Sequence, residues 1–323
     1  MAWPLIAVAL GLGLLIWGAA RFIDGAAGLA RRLGLPPLFI GMAVVGFGTS
    51  APEIAVATLA ALDGAAGVAL GNAYGSNIAN IGLILGLTAA VSPIAVHSRV
   101  VRRELPILLA ATGIAIWLLG DRTLDRVDAA VLLAMLSGFL GWTLAESARG
   151  RADLLGAEVN LELTAHPLTA PQALIRLALG LVVLVASSRL LVWGAVSIAA
   201  TLGVSELIIG LTVVAIGTSL PELASSLVAA RRGEHDIVLG NLVGSNLFNT
   251  LAVVGVASLV RPLSVPEAVL YRDAPVMAMF SLGLFALCAR RRDPARIGRL
   301  AGGLLLAGYS IYNLLLARAA IWG

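Results

Sequence analysis

The sequence has no lysine, one cysteine (Cys288), three histidines, and charged residues make up only 12% of its 323 positions. One thiol excludes a disulfide-stapled secreted fold. The scarcity of charge excludes an ordinary soluble domain, in which about a quarter of residues are charged. It also excludes a disordered chain, which needs polar, charge-rich composition. What fills the sequence instead is apolar: 59% of residues are hydrophobic, and the mean hydropathy is +0.97. The apolar runs are continuous rather than alternating, which excludes a transmembrane β-barrel.

All 22 basic residues are arginine, and the formal net charge is +4. The arginines sit in short clusters between apolar runs, a pattern of membrane topology rather than of nucleic-acid binding. Apolar runs fall at about 3–20, 35–62, 66–96, 104–120, 126–145, 172–194, 204–230, 236–260, 268–289 and 297–317. Each is near the ~20 residues a bilayer requires. The fold class expected is therefore an all-α integral membrane protein of about ten transmembrane helices. No basic segment precedes the first run, so it reads as a span, not a signal peptide. The longest polar stretch, 146–171, separates two groups of five and reads as a cytoplasmic linker between a first repeat at 1–145 and a second at 172–323. With both termini outside, 16 of the 22 arginines face the cytoplasm, as the positive-inside rule favours.

The two groups are internally related. Residues 41–90 match 210–259 at a constant offset of 169 with 20 identities and no gap. The identities include Gly48-Thr49-Ser50, Pro52-Glu53, Gly75-Ser76-Asn77 and Asn80 against Gly217-Thr218-Ser219, Pro221-Glu222, Gly244-Ser245-Asn246 and Asn249. A repeat of five spans is odd, so its second copy enters the membrane with opposite polarity. Such inverted repeats place a binding site near the midplane, where equivalent broken helices meet.

Glu53 and Glu222 lie deep in apolar runs, where an ionisable residue costs about 2.5–3.5 kcal/mol on insertion scales and normally faces a partner or a cavity. The core motifs hold no arginine, so the missing counter-charge is a mobile cation or protons. Each glutamate follows Gly-Thr-Ser-X-Pro. Proline removes a backbone donor and crowds the carbonyl four residues back, so a helix break is expected that turns carbonyls and hydroxyls into a cavity. Ser76 with Asn80, and Ser245 with Asn249, are spaced to share one helix face. Asn77 and Asn246 are expected to point elsewhere, capping a helix or bracing the packing. Gly71, Gly75, Gly240 and Gly244 form GxxxG pairs that allow close helix approach. The donors are hard oxygens without cysteine or histidine, which excludes zinc, copper or nickel and suits Ca²⁺ or Na⁺ better than Mg²⁺. Two carboxylates that must be compensated before they cross imply exchange of one cation load for another.

These residues resemble the cation/calcium exchanger superfamily, in particular its prokaryotic sodium/calcium exchanger branch. Two alpha-repeats carry the resemblance: GTSAPE (48–53) with GSNIAN (75–80), and GTSLPE (217–222) with GSNLFN (244–249). The resemblance implies a Ca²⁺/Na⁺ antiporter working by alternating access, with the first span of each half sliding over a fixed core. It implies that Glu53 and Glu222 bind Ca²⁺ with oxygens from Thr49 and Thr218. It further implies that Ser50, Ser76, Ser219, Ser245 and the carbonyls of Gly46 and Ala215 serve flanking Na⁺ sites, and that Asn80 and Asn249 complete the centre. Both of those positions are Asn, so potassium co-transport, which goes with an extra acid there in the family, is disfavoured. Three Na⁺ for one Ca²⁺ would move one net charge per cycle, about 2.3 kcal/mol per 100 mV. The partners are then Ca²⁺, Na⁺ and lipid, with no cofactor, nucleic acid or obligate protein partner.

The alternatives are a proton/calcium antiporter and, more remotely, a lipid-diphosphate phosphatase or a channel. Phosphate chemistry would want a basic residue beside the glutamates; Arg231 and Arg232 follow Glu222 at a helix end but have no counterpart in the first repeat, where Leu62 and Asp63 stand at the equivalent positions. His97, His166 and His235 read as loop residues, Cys288 as packing, and Asp24 as a carboxylate snorkelling to the interface.

Overall fold

The computed structural model describes residues 2–33, 37–96, 103–148, 168–202, 215–289 and 295–322. It is almost wholly helical, in chain order α1 (Ala2–Leu33), α2 (Leu38–Leu62), α3 (Ala66–Val91), α4 (Leu105–Asp121), α5 (Arg126–Ala148), α6 (Ala170–Thr201), α7 (Leu220–Arg231), α8 (His235–Val260), α9 (Val269–Cys288) and α10 (Arg299–Trp322). A short turn, Ala215–Thr218, precedes α7. Among the described residues, eight helices are long and apolar enough to cross a membrane. Among the described residues, four short strands cap the ends: β1 (Ile94–Val96), β2 (Thr123–Leu124), β3 (Leu263–Ser264) and β4 (Ala295–Ile297). The tail of the 66–96 run is thus a strand, because Ser92 leaves the helix with extended backbone.

Helix α1 outruns its apolar stretch of 3–20. At about 1.5 Å per residue its 32 residues span roughly 48 Å, well beyond a bilayer's hydrocarbon layer. Buried Phe22, Ile23, Ala26, Ala27 and Ala30 keep its second half packed. Its partner is α6, along their whole length. The cause is a stripe of small residues seven apart: Gly11, Gly18 and Gly25 on α1, and Gly180, Ser187 and Gly194 on α6. A Cβ added at Gly25 would lie 2.4 Å from the Leu177 nitrogen, and one at Gly180 would lie 2.4 Å from the Phe22 nitrogen. Gly11 meets Leu191 and Gly194 meets Pro4 and Val8. Early residues of one helix meet late residues of the other, so the pair is antiparallel. Shifted by the repeat offset, Gly11 against Leu191 becomes Gly180 against Phe22, and both contacts are present. That is the inverted relation in coordinates.

The remaining helices interlock. Helix α10 lies on α3, and α5 lies on α8, so each half lends its fifth helix to the third helix of the other. The strands repeat the exchange: β1 pairs antiparallel with β4, and β2 with β3. Large exposed apolar side chains such as Trp3, Trp117, Val127, Leu300 and Leu314 form the outer surface, as lipid requires. Helices α3 and α8 occupy the centre, and their middle turns widen to π-helix at Asn80–Leu85 and Asn249–Val253.

Candidate functional site

The break expected at Gly-Thr-Ser-X-Pro takes two forms. In α7 the helix is interrupted: Ser219 has φ −92° and ψ 6°, and Pro221 and Glu222 lie in the first turn that follows. In α2 the chain stays helical through Pro52, and the distortion lies one turn earlier, as π-helix over Gly41–Gly46. The prolines deprive the carbonyls of Gly48 and Gly217 of their helical donors. The Ser188 hydroxyl on α6 donates to the Gly217 carbonyl at 2.8 Å.

GxxxG packing holds for the second pair of glycines. A Cβ at Gly240 would sit 2.5 Å from the Leu38 carbonyl oxygen, and one at Gly244 would sit 2.7 Å from the Met42 Cα. This draws α8 against the π-helical start of α2 and brings Ser245 to the Gly46 carbonyl, 3.5 Å away. Gly71 and Gly75 meet nothing within 4 Å among the described residues. Their partners by repeat symmetry, 206–214, lie outside those residues.

The helix of Glu53 packs on the widened turn Asn249–Val253, and the helix of Glu222 packs on Asn80–Leu85. Each carboxylate is therefore placed by the other half of the chain. Glu53 and Glu222 are 1% and 3% exposed. The Glu222 carboxyl interacts with the Thr49 hydroxyl and with the Glu53 charge. Thr49 lies within reach of four oxygens: Val45 O at 3.1 Å, Gly46 O at 3.3 Å, Asn241 Oδ1 at 3.3 Å and Ser245 Oγ at 3.5 Å. Ser50, Ser76, Ser219, Asn80 and Asn249 are buried in the same region. Thr218 is half-buried and engaged. Ala215 opens the turn before it, and its side chain lies outside the described residues.

Buried polar atoms normally find partners, so the exceptions are informative. Among the described residues Tyr74 Oη and Thr88 Oγ1 are two; the eight within the repeated motifs are both oxygens of Glu53, Glu222 Oε2, Ser50 Oγ, Asn77 Oδ1, Asn80 Oδ1, Asn249 Oδ1 and the single nitrogen Asn246 Nδ2. Seven of the eight are oxygens converging from both halves, two of them on a carboxylate without a hydrogen bond. Oxygens of this kind are the donors a hard cation would require. Among the described residues no three His, Cys, Asp or Glu side chains cluster, so the donors available are carboxylate, amide, hydroxyl and carbonyl oxygens.

Asn77 and Asn246 do not point away from the centre. Asn77 Nδ2 donates to Thr250 Oγ1 at 2.8 Å, and Asn80 Nδ2 donates to Asn246 Oδ1 at 2.9 Å. Both bonds join one half to the other, so these residues brace the site rather than cap a helix. Sequence reasoning also passed over Asn72 and Asn241, which donate to the backbone carbonyls of Glu53 and Glu222 at 3.1 and 3.4 Å. Their signal was the doubled Gly-Asn at 71–72 and 240–241. A second doubled motif went unread: Arg103-Glu104-Leu105-Pro106 and Arg272-Asp273-Ala274-Pro275. Buried Asp273 is held by Arg272 at 2.7 and 3.1 Å and accepts from the Tyr312 hydroxyl at 2.9 Å, tying α9 to α10.

Three other sequence readings change or stand. Asp24 does not snorkel alone: Arg232, at the end of α7, donates to its Oδ1 at 2.5 Å, and Arg176 is 3.8 Å from its Oδ2. The pair is a third exposed, so Asp24→Asn is expected to lower stability by less than about 1 kcal/mol, read as thermal unfolding in detergent. His235 opens α8 rather than lying in a loop, whereas His97 and His166 lie outside the described residues. Cys288 is buried.

Inverted five-helix repeats, one interrupted and one π-distorted helix and a buried two-carboxylate site shared across the halves define a multi-pass membrane transporter. Comparison with known proteins narrows the class. The sodium/calcium exchanger protein family matches residues 3–145 and 172–318. The putative antiporter CaxA of Alkalimonas amylolytica is 44% identical over 96% of this chain and 98% of its own. The sodium/calcium exchanger MaX1 of Methanosarcina acetivorans is 30% identical over 84% of this chain and 87% of its own. The sodium–calcium exchanger NCX_Mj, in a crystal soaked with zero Na⁺ and Ca²⁺, superposes with a TM-score of 0.82 at 35% identity, covering 96% of this chain and 98% of that one. The chain belongs to the sodium/calcium exchanger protein family.

Proposed function

We propose that the protein is a secondary active antiporter that exchanges Ca²⁺ for Na⁺ across a membrane by alternating access. The observation that carries this reading is the set of unpartnered buried oxygens around two glutamates, five from the first repeat and two from the second. Glu53 and Glu222 bind Ca²⁺ between them, with oxygens from Thr49 and Thr218. Ser50, Ser76, Ser219, Ser245 and the carbonyls of Gly46 and Ala215 take Na⁺ on either side, and Asn80 and Asn249 close the centre. Two carboxylates balance one Ca²⁺; without it they repel, and the return step needs another cation load. The antiparallel α1–α6 pair packs mainly on itself, the geometry of a body able to shift against the core. The arginine distribution supports a reading with both termini outside.

The test is Ca²⁺ uptake into proteoliposomes driven separately by outward Na⁺ and outward H⁺ gradients. Uptake with Na⁺ and none with H⁺ is the expected result. Uptake with H⁺ alone keeps the fold and site but replaces the coupling ion.

A further inference from the structure

The α1–α6 pair is tied to the core by charge at the arginine-rich end that follows Glu222 along α7. Asp24 on α1 accepts from Arg232 at 2.5 Å, and Arg176 on α6 lies 3.8 Å from its second oxygen. Arg232 also donates to the Ala20 carbonyl, one turn earlier on α1, at 3.2 Å. Arg232 caps the end of α7, the helix whose first turn carries Glu222. One guanidinium thus joins the pair to the helix of a site carboxylate, and Arg176 brings the second helix of the pair to the same acid. The side chains of Asp24, Arg232 and Arg176 are 33%, 35% and 37% exposed.

The opposite end of the molecule does not repeat this. By the repeat offset, the counterparts of Asp24, Arg176 and Arg232 are Trp193, Ala7 and Asp63. Those positions hold one acid and no base, so the same triad cannot form there. The packing beside them does follow the repeat: Gly25, next to Asp24, has its counterpart in Gly194, and both make close backbone approaches. Packing is therefore matched at the two ends while charge is not. A tie at one end favours one position of the pair against the core and has no equal in the opposite position. An ion pair this exposed adds little to folding stability. A balance between two arrangements of similar energy, however, responds to contributions of that size.

We propose that Asp24, Arg232 and Arg176 form a latch that holds the α1–α6 pair in the position seen here and biases the exchanger toward one access state. This rests on the alternating-access reading above. It deepens that reading by naming the charges that make the two states unequal.

The test uses the full-length protein in right-side-out and inverted membrane vesicles, with half-saturating Ca²⁺ measured on each face. Apparent affinity at a face scales with the population of the state open to it, so the ratio between the faces reports the bias. Asp24→Asn and Arg232→Gln are each expected to change that ratio by up to about fivefold, in the same direction, the scale of one partly exposed ion pair. Raising ionic strength with choline chloride should move the wild type toward the variants, since exposed charges are screened. A covalent latch gives the converse. Asp24→Cys/Arg232→Cys, in a Cys288→Ser background, is joined by a reducible bifunctional thiol reagent of the ion pair's length. Exchange should fall by about tenfold or more and return on reduction, because a tethered pair cannot complete the cycle. Neutral variants with lowered melting temperature and an unchanged ratio would mean a merely structural pair and overturn the proposal. So would a cross-linked protein that exchanges normally, or a cysteine pair that cannot be joined. A wild type that exchanges no Ca²⁺ would remove the exchange reading and this inference together; an active wild type with an unaltered ratio in both neutral variants removes only this inference.

Discussion

Glu53→Gln or Glu222→Gln is expected to abolish Ca²⁺ exchange, with uptake falling by about 100-fold or more, at least the loss seen when a metal site is deprived of even a supporting partner. Glutamine keeps the volume and one carbonyl oxygen but removes half of the charge that balances a divalent ion. Neither Glu53 oxygen has a hydrogen bond to lose, and both carboxyls are buried. Either substitution also relieves a buried like-charge pair, so the melting temperature in ion-free detergent should hold or rise. Loss of transport with retained stability separates a ligand from a structural residue. Near-normal uptake by either variant would sink the site assignment.

The second large effect concerns the α1–α6 pair. Gly25→Val or Gly180→Val places side-chain atoms where a Cβ alone would already lie 2.4 Å from the partner's backbone nitrogen. The helices must separate, at a cost of about 1–3 kcal/mol or more for overpacking. Thermal unfolding should show that loss, and Ca²⁺ uptake should fall by about tenfold or more, because the pair is the body proposed to move. Gly13→Val is the control. Gly13 lies on the same helix and meets nothing within 4 Å, so its replacement should leave both readouts near wild type. A Gly13 variant as damaged as the Gly25 variant would argue against the packing explanation.

Much of this was legible in the chain because the signals are local. Apolar run length is fixed by bilayer thickness, and the runs located the described spans to within a few residues except where a helix outlasts its apolar stretch, as α1 and α6 do; the start of the 204–230 run lies outside the described residues. The doubled Gly-Thr-Ser-X-Pro-Glu and Gly-Ser-Asn motifs named the candidate oxygen donors, since two matched carboxylates at membrane depth have few chemical uses. An odd number of spans per repeat required inversion. The small-residue stripe at Gly11, Gly18 and Gly25 was also present in the sequence, but half of its meaning lies in Gly180, Ser187 and Gly194, and nothing local says that these two stripes meet.

Only the tertiary structure decided which groups of opposite halves touch. Glu53 and Asn80 belong to one repeat, yet each packs on the other, because α2 and α3 interlock with α7 and α8. Thr49 meets Asn241 and Ser245 across nearly two hundred residues of chain. Asp24 is ion-paired because the end of α7 brings Arg232 to it, which no reading of α1 alone could supply. The inequality of the two ends was written as Asp24, Arg176 and Arg232 against Trp193, Ala7 and Asp63, but it became a tie between helices only once folding brought the three charges together. Composition and periodicity report what each segment must do toward lipid; the donor and acceptor that finally share a proton are chosen by close backbone approach at glycines between segments far apart in sequence.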